Sequence, residues 1–253
     1  MEPQELQDFL AWKPDYPEAI LDRGLMYAGT KVVLFGKYKS YKSMLAIRFL
    51  LNVADGKPWL GFNTPKDGLD VLYLQLELPH PLLQVRFQDM TYGGGPTKKR
   101  LVVWTEHFLQ LDTPQGMAKL ETQLNRYEPK VLVIDPLYKV LSTNINEAHA
   151  MTTFFNNLDM VLDRHPGMSL MLVSHSRKSQ LQPTEAVWGS DELFGSTFIS
   201  AWADSIIEVK REEKGLRVIF DVVRHARDEI ESVFAPIDKR LEFDVETLSF
   251  RKT

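Results

Sequence analysis

The sequence contains no cysteine among its 253 residues, so disulfide bonds and thiolate metal sites are excluded. No stretch reaches the ~18 uncharged apolar residues that a membrane-spanning helix needs. Residues 1–19 are acidic and interrupted by prolines, unlike the basic and then apolar pattern of a secretory signal. From these absences we expect a cytoplasmic protein with no membrane partner.

The chain also lacks an excess of positive charge, because its formal net charge is −4. Any contact with nucleic acid must therefore come from local basic clusters. No HExxH or HxxxH spacing is present that would predict a histidine metal site. Hydrophobic residues make up 44% and charged residues 25%, which is the composition of a globular protein and excludes a mainly disordered chain.

Strand and helix patterns alternate along the chain. Near-continuous apolar runs predict strands, and each of the first four is followed by a helical pattern. The predicted strands cover residues 31–35, 69–77, 100–106, 130–137 and 168–176, and the predicted helices cover 43–56, 81–90, 113–129 and 151–165. This alternation predicts an α/β fold with a mostly parallel sheet covered on both faces. The tail from Ser205 predicts β-hairpins that add antiparallel strands, with a turn at residues 212–215.

A candidate phosphate loop, Gly36–Ser43, lies between the first predicted strand and its helix. It follows the G-x-x-x-x-G-K-[ST] pattern except that Tyr41 replaces the second glycine. Backbone N–H groups and a helix N-terminus bind phosphate at such a bend, a lysine adds charge and a hydroxyl holds Mg²⁺. The candidate nucleotide-binding residues are Gly36, Lys37, Tyr38, Lys39, Ser40, Tyr41, Lys42 and Ser43.

Two alternatives remain open for this loop. It is either a phosphate-binding loop or a lysine-rich turn that precedes a helix. Tyr41 either weakens binding, because the motif's glycine lets backbone approach phosphate without a Cβ, or stacks over the nucleotide.

Three later strands end in ionisable residues, namely Glu77, Asp135 and His175. In doubly wound sheets the ligand lies beyond the carboxyl ends of the strands. Each residue alone is equally compatible with a strand end that emerges into solvent. Together with the loop, they predict that Asp135 holds Mg²⁺ through water and that Glu77 orients or deprotonates the attacking water. His175 is placed to sense the γ-phosphate by hydrogen bonding.

The runs VVLFGKYKSYKS, VLYLQLE, VLVIDPL, LMLVSHSRKS and GSTFISAWADSIIEV resemble RecA-type P-loop ATPases. Within that group the chain is most similar to RepA-like hexameric replicative helicases and their phage and plasmid relatives, over roughly residues 20–230. The resemblance implies a RecA-like fold with ATP and Mg²⁺ as cofactors. It implies that Lys42 and Ser43 are the nucleotide-binding pair, Glu77 the catalytic base and Asp135 the Mg²⁺-linked carboxylate.

The same resemblance implies a ring-shaped homo-oligomer, a hexamer in the manner of that family, acting on single-stranded DNA. A neighbouring subunit then supplies an arginine finger, for which Arg227 is the first candidate and Arg224 the second. His175 couples the γ-phosphate to a DNA-binding loop in which Arg177 and Lys178 contact phosphates. The alternatives are that these arginines are surface strand residues and that the basic pair is simply solvated.

Three functions compete. The first is an ATP-driven motor on single-stranded DNA, a replicative helicase or translocase that works with other replication proteins. The second is a nucleotide-gated DNA-binding, helicase-loading or recombination accessory with weak or no ATP turnover. The third is a small-molecule kinase, which the long Lys42–Asp135 interval and the lack of an arginine-rich lid disfavour.

We interpret residues 1–20 as an N-terminal arm and residues 21–253 as one RecA-like ATPase domain. The arm carries Leu6, Phe9, Leu10 and Trp12, whose spacing gives one apolar face on a short helix. This face either docks on a neighbouring subunit or packs on its own domain.

Overall fold

A computed structural model of the chain describes residues 3–13, 15–91, 94–142, 148–176, 196–213, 215–223, 237–244 and 249–252. The predicted DNA contacts Arg177 and Lys178 lie outside the described residues, as do the two candidate finger residues, Arg224 and Arg227. Their roles therefore stay predictions.

Within the described residues, nine strands form one sheet, in the order β11-β10-β9-β8-β3-β7-β6-β4-β5. In this spatial order, the six strands from β8 to β5 pair with their neighbours in parallel. The four strands from β11 to β8 pair with their neighbours antiparallel. The strands are β3 (Lys31–Gly36), β4 (Val71–Gln75), β5 (Leu101–Thr105), β6 (Val131–Asp135), β7 (Ser169–His175), β8 (Ser205–Glu212), β9 (Gly215–Val223), β10 (Ile237–Asp244) and β11 (Ser249–Lys252). This arrangement confirms the predicted parallel sheet with antiparallel C-terminal strands.

Helices cover both faces of the sheet, as the apolar strands require. Successive strand residues point to opposite faces, so Val32 and Leu34 join one hydrophobic cluster while Val33 and Phe35 join the other. The helices are α1 (Leu6–Ala11), α2 (Lys42–Asp55), α3 (His80–Thr91), α4 (Pro114–Tyr127), α5 (Ala148–Arg164) and α6 (Ser196–Trp202), with a 3-10 helix at Leu137–Val140. Buried residues of α2 and α3 belong to the first cluster, and those of α4, α5 and α6 belong to the second.

Two of the helix ends carry residue types that are typical of helix caps. The N–H of Gly116 donates to the hydroxyl of Thr113 at 3.2 Å, and Pro114 is the first residue of α4. Helix α2 ends at Gly56, whose φ of 65° suits glycine. The sequence patterns missed α6 and the small hairpin of β1 (Ala19–Leu21) and β2 (Met26–Tyr27).

Helix α1 buries none of its residues. The exposed fractions of Leu6 and Leu10 are 71% and 73%, and those of Phe9 and Trp12 are 55% and 44%. The arm's apolar face is therefore not buried against the described part of its own domain, and docking on a neighbouring subunit stays a prediction. In the part of the chain that the structure describes, no helix is long and apolar enough to cross a membrane.

Candidate active site

The carboxyl ends of four parallel strands bring the predicted site residues to one edge of the sheet. Gly36 on β3 is in register with His175 on β7, and Gln75 on β4 is in register with Asp135 on β6. Glu77 follows two residues after Gln75. Strand β7 separates the phosphate-loop strand from the Asp135 strand, so the histidine lies between the loop and the carboxylates.

A cavity of about 370 Å³ opens at this edge, and we call it the carboxyl-edge cavity. It is lined by most of the predicted nucleotide-site residues and by several residues that lie outside the predicted motifs. Its lining consists of Tyr38, Lys39, Ser40, Tyr41, Lys42, Ser43, Met44, Gln75, Glu77, Leu78, Arg86, Asp135, Val173, His175 and Arg211.

The loop begins at a glycine because the backbone there passes very close to β8. A Cβ on Gly36 would lie 2.2 Å from the carbonyl oxygen of Val209 and 2.9 Å from the hydroxyl oxygen of Ser40. Real Cβ atoms do not approach backbone so closely, so a larger residue would displace the loop from β8.

Tyr41 occupies the backbone conformation that the motif's second glycine normally supplies. Its φ is 62° and its ψ is 20°, in the left-handed region, directly before α2. For a side chain with a Cβ this conformation costs about 1–2 kcal/mol. The ring lies 5.3 Å from the guanidinium of Arg211 on β8 and packs, partly buried, against the core. Contacts of the ring therefore help to hold the loop in this conformation.

Lys42 is buried at the base of the cavity. Its ammonium donates to the carbonyl oxygens of Gly36 at 2.9 Å and Lys37 at 2.8 Å, and to the hydroxyl of Ser40 at 3.4 Å. Burial lowers the pKa of Lys42 to about 8, while the nearby carboxylates Asp135 and Glu77 oppose that shift. The side chain remains mostly charged at neutral pH, as a phosphate ligand must be.

Asp135 is the buried carboxylate of the site. It accepts a hydrogen bond from the hydroxyl of Tyr73 at 2.7 Å and another from Ser43. Burial raises the pKa of Asp135, and these two hydrogen bonds act in the opposite direction. A hydroxyl beside a carboxylate is an oxygen donor set that suits Mg²⁺. Among the described residues no group of three or more His, Asp or Glu side chains converges, so Mg²⁺ would need phosphate and water oxygens as well.

Glu77 lies at the cavity's exposed side, where its carboxylate accepts a hydrogen bond from the hydroxyl of Tyr138. The ring of His175 lies between two tyrosines, 6.1 Å from the ring of Tyr38 and 5.5 Å from that of Tyr138. Burial, together with the charge of Lys42, lowers the pKa of His175. Its Nδ1 is buried and has no hydrogen-bond partner among the described residues.

Residues 1–180 match the AAA domain family. The chain belongs to this family. Among solved structures, the ATPase domain of another protein is similar to it, with a TM-score of 0.64 and 12% sequence identity over 90% of this chain and 86% of that one. At this identity the similarity concerns the fold, and it confirms the RecA-like α/β architecture expected from the sequence. No curated protein matches the sequence.

In this AAA-family chain, sequence reasoning missed Arg86 and Arg211, which line the cavity, as well as Tyr73 and Tyr138, which donate hydrogen bonds to its carboxylates. Tyr138 follows Asp135 by three positions and Arg86 follows Glu77 by nine, but both positions are outside the motif patterns. Tyr73 is one of several buried apolar positions of β4, and Arg211 comes from a distant strand. Only their closeness in sequence to the strand ends could have suggested Tyr138 and Arg86.

Proposed function

We propose that the chain is an ATPase whose hydrolysis, with Mg²⁺, drives movement on single-stranded DNA as a ring-shaped oligomer, in the manner of replicative helicases. The observation that carries the proposal is the convergence of Lys42, Ser43, Glu77 and Asp135 on the carboxyl-edge cavity. Phosphoryl transfer needs positioned positive charge, a metal-linked carboxylate and a residue that orients water, and these four residues provide that set.

Each residue has a task that follows from its environment. The charged Lys42 and the N-terminus of α2 bind phosphate oxygens, since both present positive charge to the same bend. Ser43 and Asp135 are the residues that would hold Mg²⁺, which when bound neutralises charge on the phosphates. Glu77, exposed to the cavity solvent, accepts a proton from the attacking water. We assign to His175, which lines the same cavity, the contact with the terminal phosphate.

The proposal extends to nucleic acid through the end of β7. Arg177 and Lys178 follow His175 within three residues, so a change at the phosphate end of the site has a short covalent path to the proposed DNA contacts. Positive side chains that contact phosphates bind single strands without sequence preference. A neighbouring subunit would complete the site with Arg227 or, as second choice, Arg224.

The test is steady-state ATP hydrolysis by the full chain, with and without single-stranded DNA. Turnover that DNA stimulates supports the motor. Lys42→Ala should abolish nucleotide binding, whereas Glu77→Gln should keep binding and lose turnover by about 100-fold or more. Unchanged ATP affinity in Lys42→Ala would contradict the loop assignment.

Assembly is tested separately by measuring oligomeric mass with and without ATP. A multimer is required if Arg227 acts across a subunit boundary, and Arg227→Ala should then lose turnover while keeping nucleotide affinity. If Arg227→Ala hydrolyses ATP at the wild-type rate, the finger lies elsewhere.

One observation favours a second candidate, the nucleotide-gated accessory. Tyr41 places a Cβ and a ring at the position where the motif's glycine lets the backbone approach phosphate. ATP binding with no turnover, whether or not DNA is present, would favour this accessory over the motor.

A further inference from the structure

Lys39 is a lysine of the phosphate loop whose side chain the sequence motif does not explain. The G-x-x-x-x-G-K-[ST] pattern gives a phosphate-binding role to the side chain of Lys42, whereas Lys39 occupies one of its unrestricted positions. Lys39 nevertheless lines the carboxyl-edge cavity, and Lys37 is not among the lining residues. The loop therefore brings a second lysine, in addition to Lys42, to the edge of the cavity.

The backbone of Lys39 has a conformation that favours glycine. Its φ is 62°, in the left-handed region, which a residue with a Cβ adopts only with steric strain. Tyr41 has the same φ, but its ring packs against the core and lies beside Arg211. Lys39 is exposed, so burial does not offset its strain. Strain of this kind is typical of residues whose side chains have a function.

The ammonium of Lys39 lies on the side of the cavity where the proposed function puts the terminal phosphate. Its Nζ is 5.6 Å from the centre of the Tyr38 ring, and that ring lies 6.1 Å from the ring of His175, the residue assigned to the terminal phosphate. Lys42, in contrast, is buried and donates to the loop carbonyl oxygens of Gly36 and Lys37. The two lysines therefore approach the loop from different sides, Lys42 from the base of the cavity and Lys39 from its exposed rim.

No carboxylate neutralises the charge of Lys39 within the part of the chain that the structure describes. Its ammonium contacts the uncharged ring of Tyr38, and no Asp or Glu of the described residues forms an ion pair with it. A lysine ammonium is a point charge on a flexible four-carbon side chain, so it can turn toward a phosphate oxygen. That movement breaks no ion pair, and the contact with a bound phosphate has no competing anion.

Building on the proposed function, we infer that the side chain of Lys39 binds the terminal phosphate of ATP and makes the site prefer ATP over ADP. ADP lacks this phosphate, so the contact forms with the substrate and is absent with the product. Contacts with the other two phosphates are common to both nucleotides. Lys39 is therefore a specificity-determining residue, and its effect appears in the ratio of the two affinities.

The test compares wild type with Lys39→Met, which keeps a long side chain and removes its charge. Calorimetric titration with Mg²⁺ present measures the affinity for ADP and for an ATP analogue whose terminal phosphate cannot be hydrolysed. The affinity for the analogue should fall about tenfold, the effect of losing one hydrogen bond to a charged group. The affinity for ADP should change by less than about twofold. The urea midpoint of unfolding should stay at the wild-type value, because Lys39 is exposed.

Lys139→Met is the matched control. Lys139 is an exposed lysine on the 3-10 helix Leu137–Val140, and its Nζ lies 5.6 Å from the ring of Tyr138, the same distance that separates Lys39 from Tyr38. It is not among the residues that line the cavity. Its replacement removes the same charge near the same edge of the sheet and should keep the wild-type ratio of the two affinities.

Two further measurements identify charge as the cause. Lys39→Arg keeps a positive charge on a long side chain and should lose much less of the preference for the ATP analogue than Lys39→Met does. Raising NaCl from about 0.1 M to about 1 M should lower the wild-type ratio toward that of Lys39→Met, because exposed charges are screened by salt.

The outcomes distinguish this inference from the proposed function. If the wild-type chain binds the ATP analogue and Lys39→Met keeps the wild-type ratio, because neither affinity changes or both fall equally, the assignment of Lys39 to the terminal phosphate is wrong and the phosphate loop stands. If the wild-type chain binds neither nucleotide, the proposed function fails and this inference fails with it.

Discussion

The hydroxyl of Tyr73 on β4 donates to the carboxylate of Asp135 on the neighbouring strand β6, with an oxygen–oxygen distance of 2.7 Å. Tyr73 is in register with Val133, and Asp135 lies two residues further along the same face. Both side chains are buried. The sheet register therefore places the neutral hydroxyl of Tyr73 beside Asp135, a carboxylate of the proposed metal site that water cannot readily solvate. This hydrogen bond offsets part of the free energy of burying a charge.

Tyr73→Phe should destabilise the nucleotide-free chain by about 1–3 kcal/mol, because it leaves a buried carboxylate oxygen without its donor. Chemical unfolding at neutral pH measures the effect. Tyr127→Phe, which also removes one hydroxyl, is the matched control and should change the free energy of unfolding by less than about 0.5 kcal/mol. Equal losses in the two variants would show that the Tyr73–Asp135 hydrogen bond does not contribute.

Asp135→Asn should stabilise the nucleotide-free chain at neutral pH while removing the proposed Mg²⁺ ligand. A carboxyl whose folded pKa is raised contributes stability below its unfolded pKa and loses that contribution as pH rises through the folded pKa. At neutral pH the ionised Asp135 therefore lowers the free energy of unfolding. The neutral amide of Asp135→Asn should raise that free energy by about 1 kcal/mol relative to the wild-type chain.

This gain should shrink as the pH falls to about 4, where the unfolded carboxyl also becomes protonated. Urea unfolding of both chains at the two pH values measures it. Asp163→Asn, at an exposed position of α5, is the control and should show no such gain at either pH. A gain for Asp135→Asn that is equal at both pH values would contradict the raised pKa.

The sequence predicted the sheet edge well, for a physical reason. Parallel strands buried on both faces are continuous apolar runs, and their carboxyl ends meet at one edge. The polar residues that follow those runs, Glu77, Asp135 and His175, therefore had to come close together, and the structure places them around the same cavity as Lys42.

The contacts within the site could not be predicted in the same way. Which strand lies beside which depends on long-range pairing, and the insertion of β7 between β3 and β6 has no local sequence signal. The hydrogen bonds from Tyr73 and Tyr138 depend on that order and on register. Arg211 approaches Tyr41 only because β8 pairs with β3, although they are separated by most of the chain.

Nucleotide binding should take up a proton at alkaline pH. Lys42 has a pKa of about 8 in the free chain, so it is mostly neutral at about pH 9. Phosphate oxygens favour the charged ammonium, so binding restores the proton, and affinity falls as pH rises above 8. Calorimetric titration with ATP at about pH 9, in two buffers with different heats of ionisation, should show uptake of most of one proton per nucleotide.

The same titration at about pH 7 is the internal control, since Lys42 is then already charged and contributes little uptake. Binding heats at about pH 9 that do not depend on the buffer would show that Lys42 stays charged in the free chain or lies away from the phosphates.

Substitutions at Tyr41 separate backbone strain from the contacts of its ring. Tyr41→Ala loses the ring that lies on Arg211 but keeps a Cβ at a φ of 62°, whereas Tyr41→Gly loses the ring and also the strain. The glycine variant should therefore be more stable than the alanine variant by about 1 kcal/mol, even though glycine is more flexible in the unfolded chain. Chemical unfolding of the three chains gives this order.

The ATP affinity of the same variants tests the functional role of Tyr41. If the Cβ of Tyr41 hinders the approach of phosphate to the backbone, Tyr41→Gly should bind ATP more tightly than both the alanine variant and the wild-type chain. If the tyrosine ring instead contributes to binding by stacking on the nucleotide, both variants should bind more weakly than wild type, to a similar degree. Because the two chains differ only in one methyl group, the difference between their affinities isolates the effect of the Cβ from that of the ring.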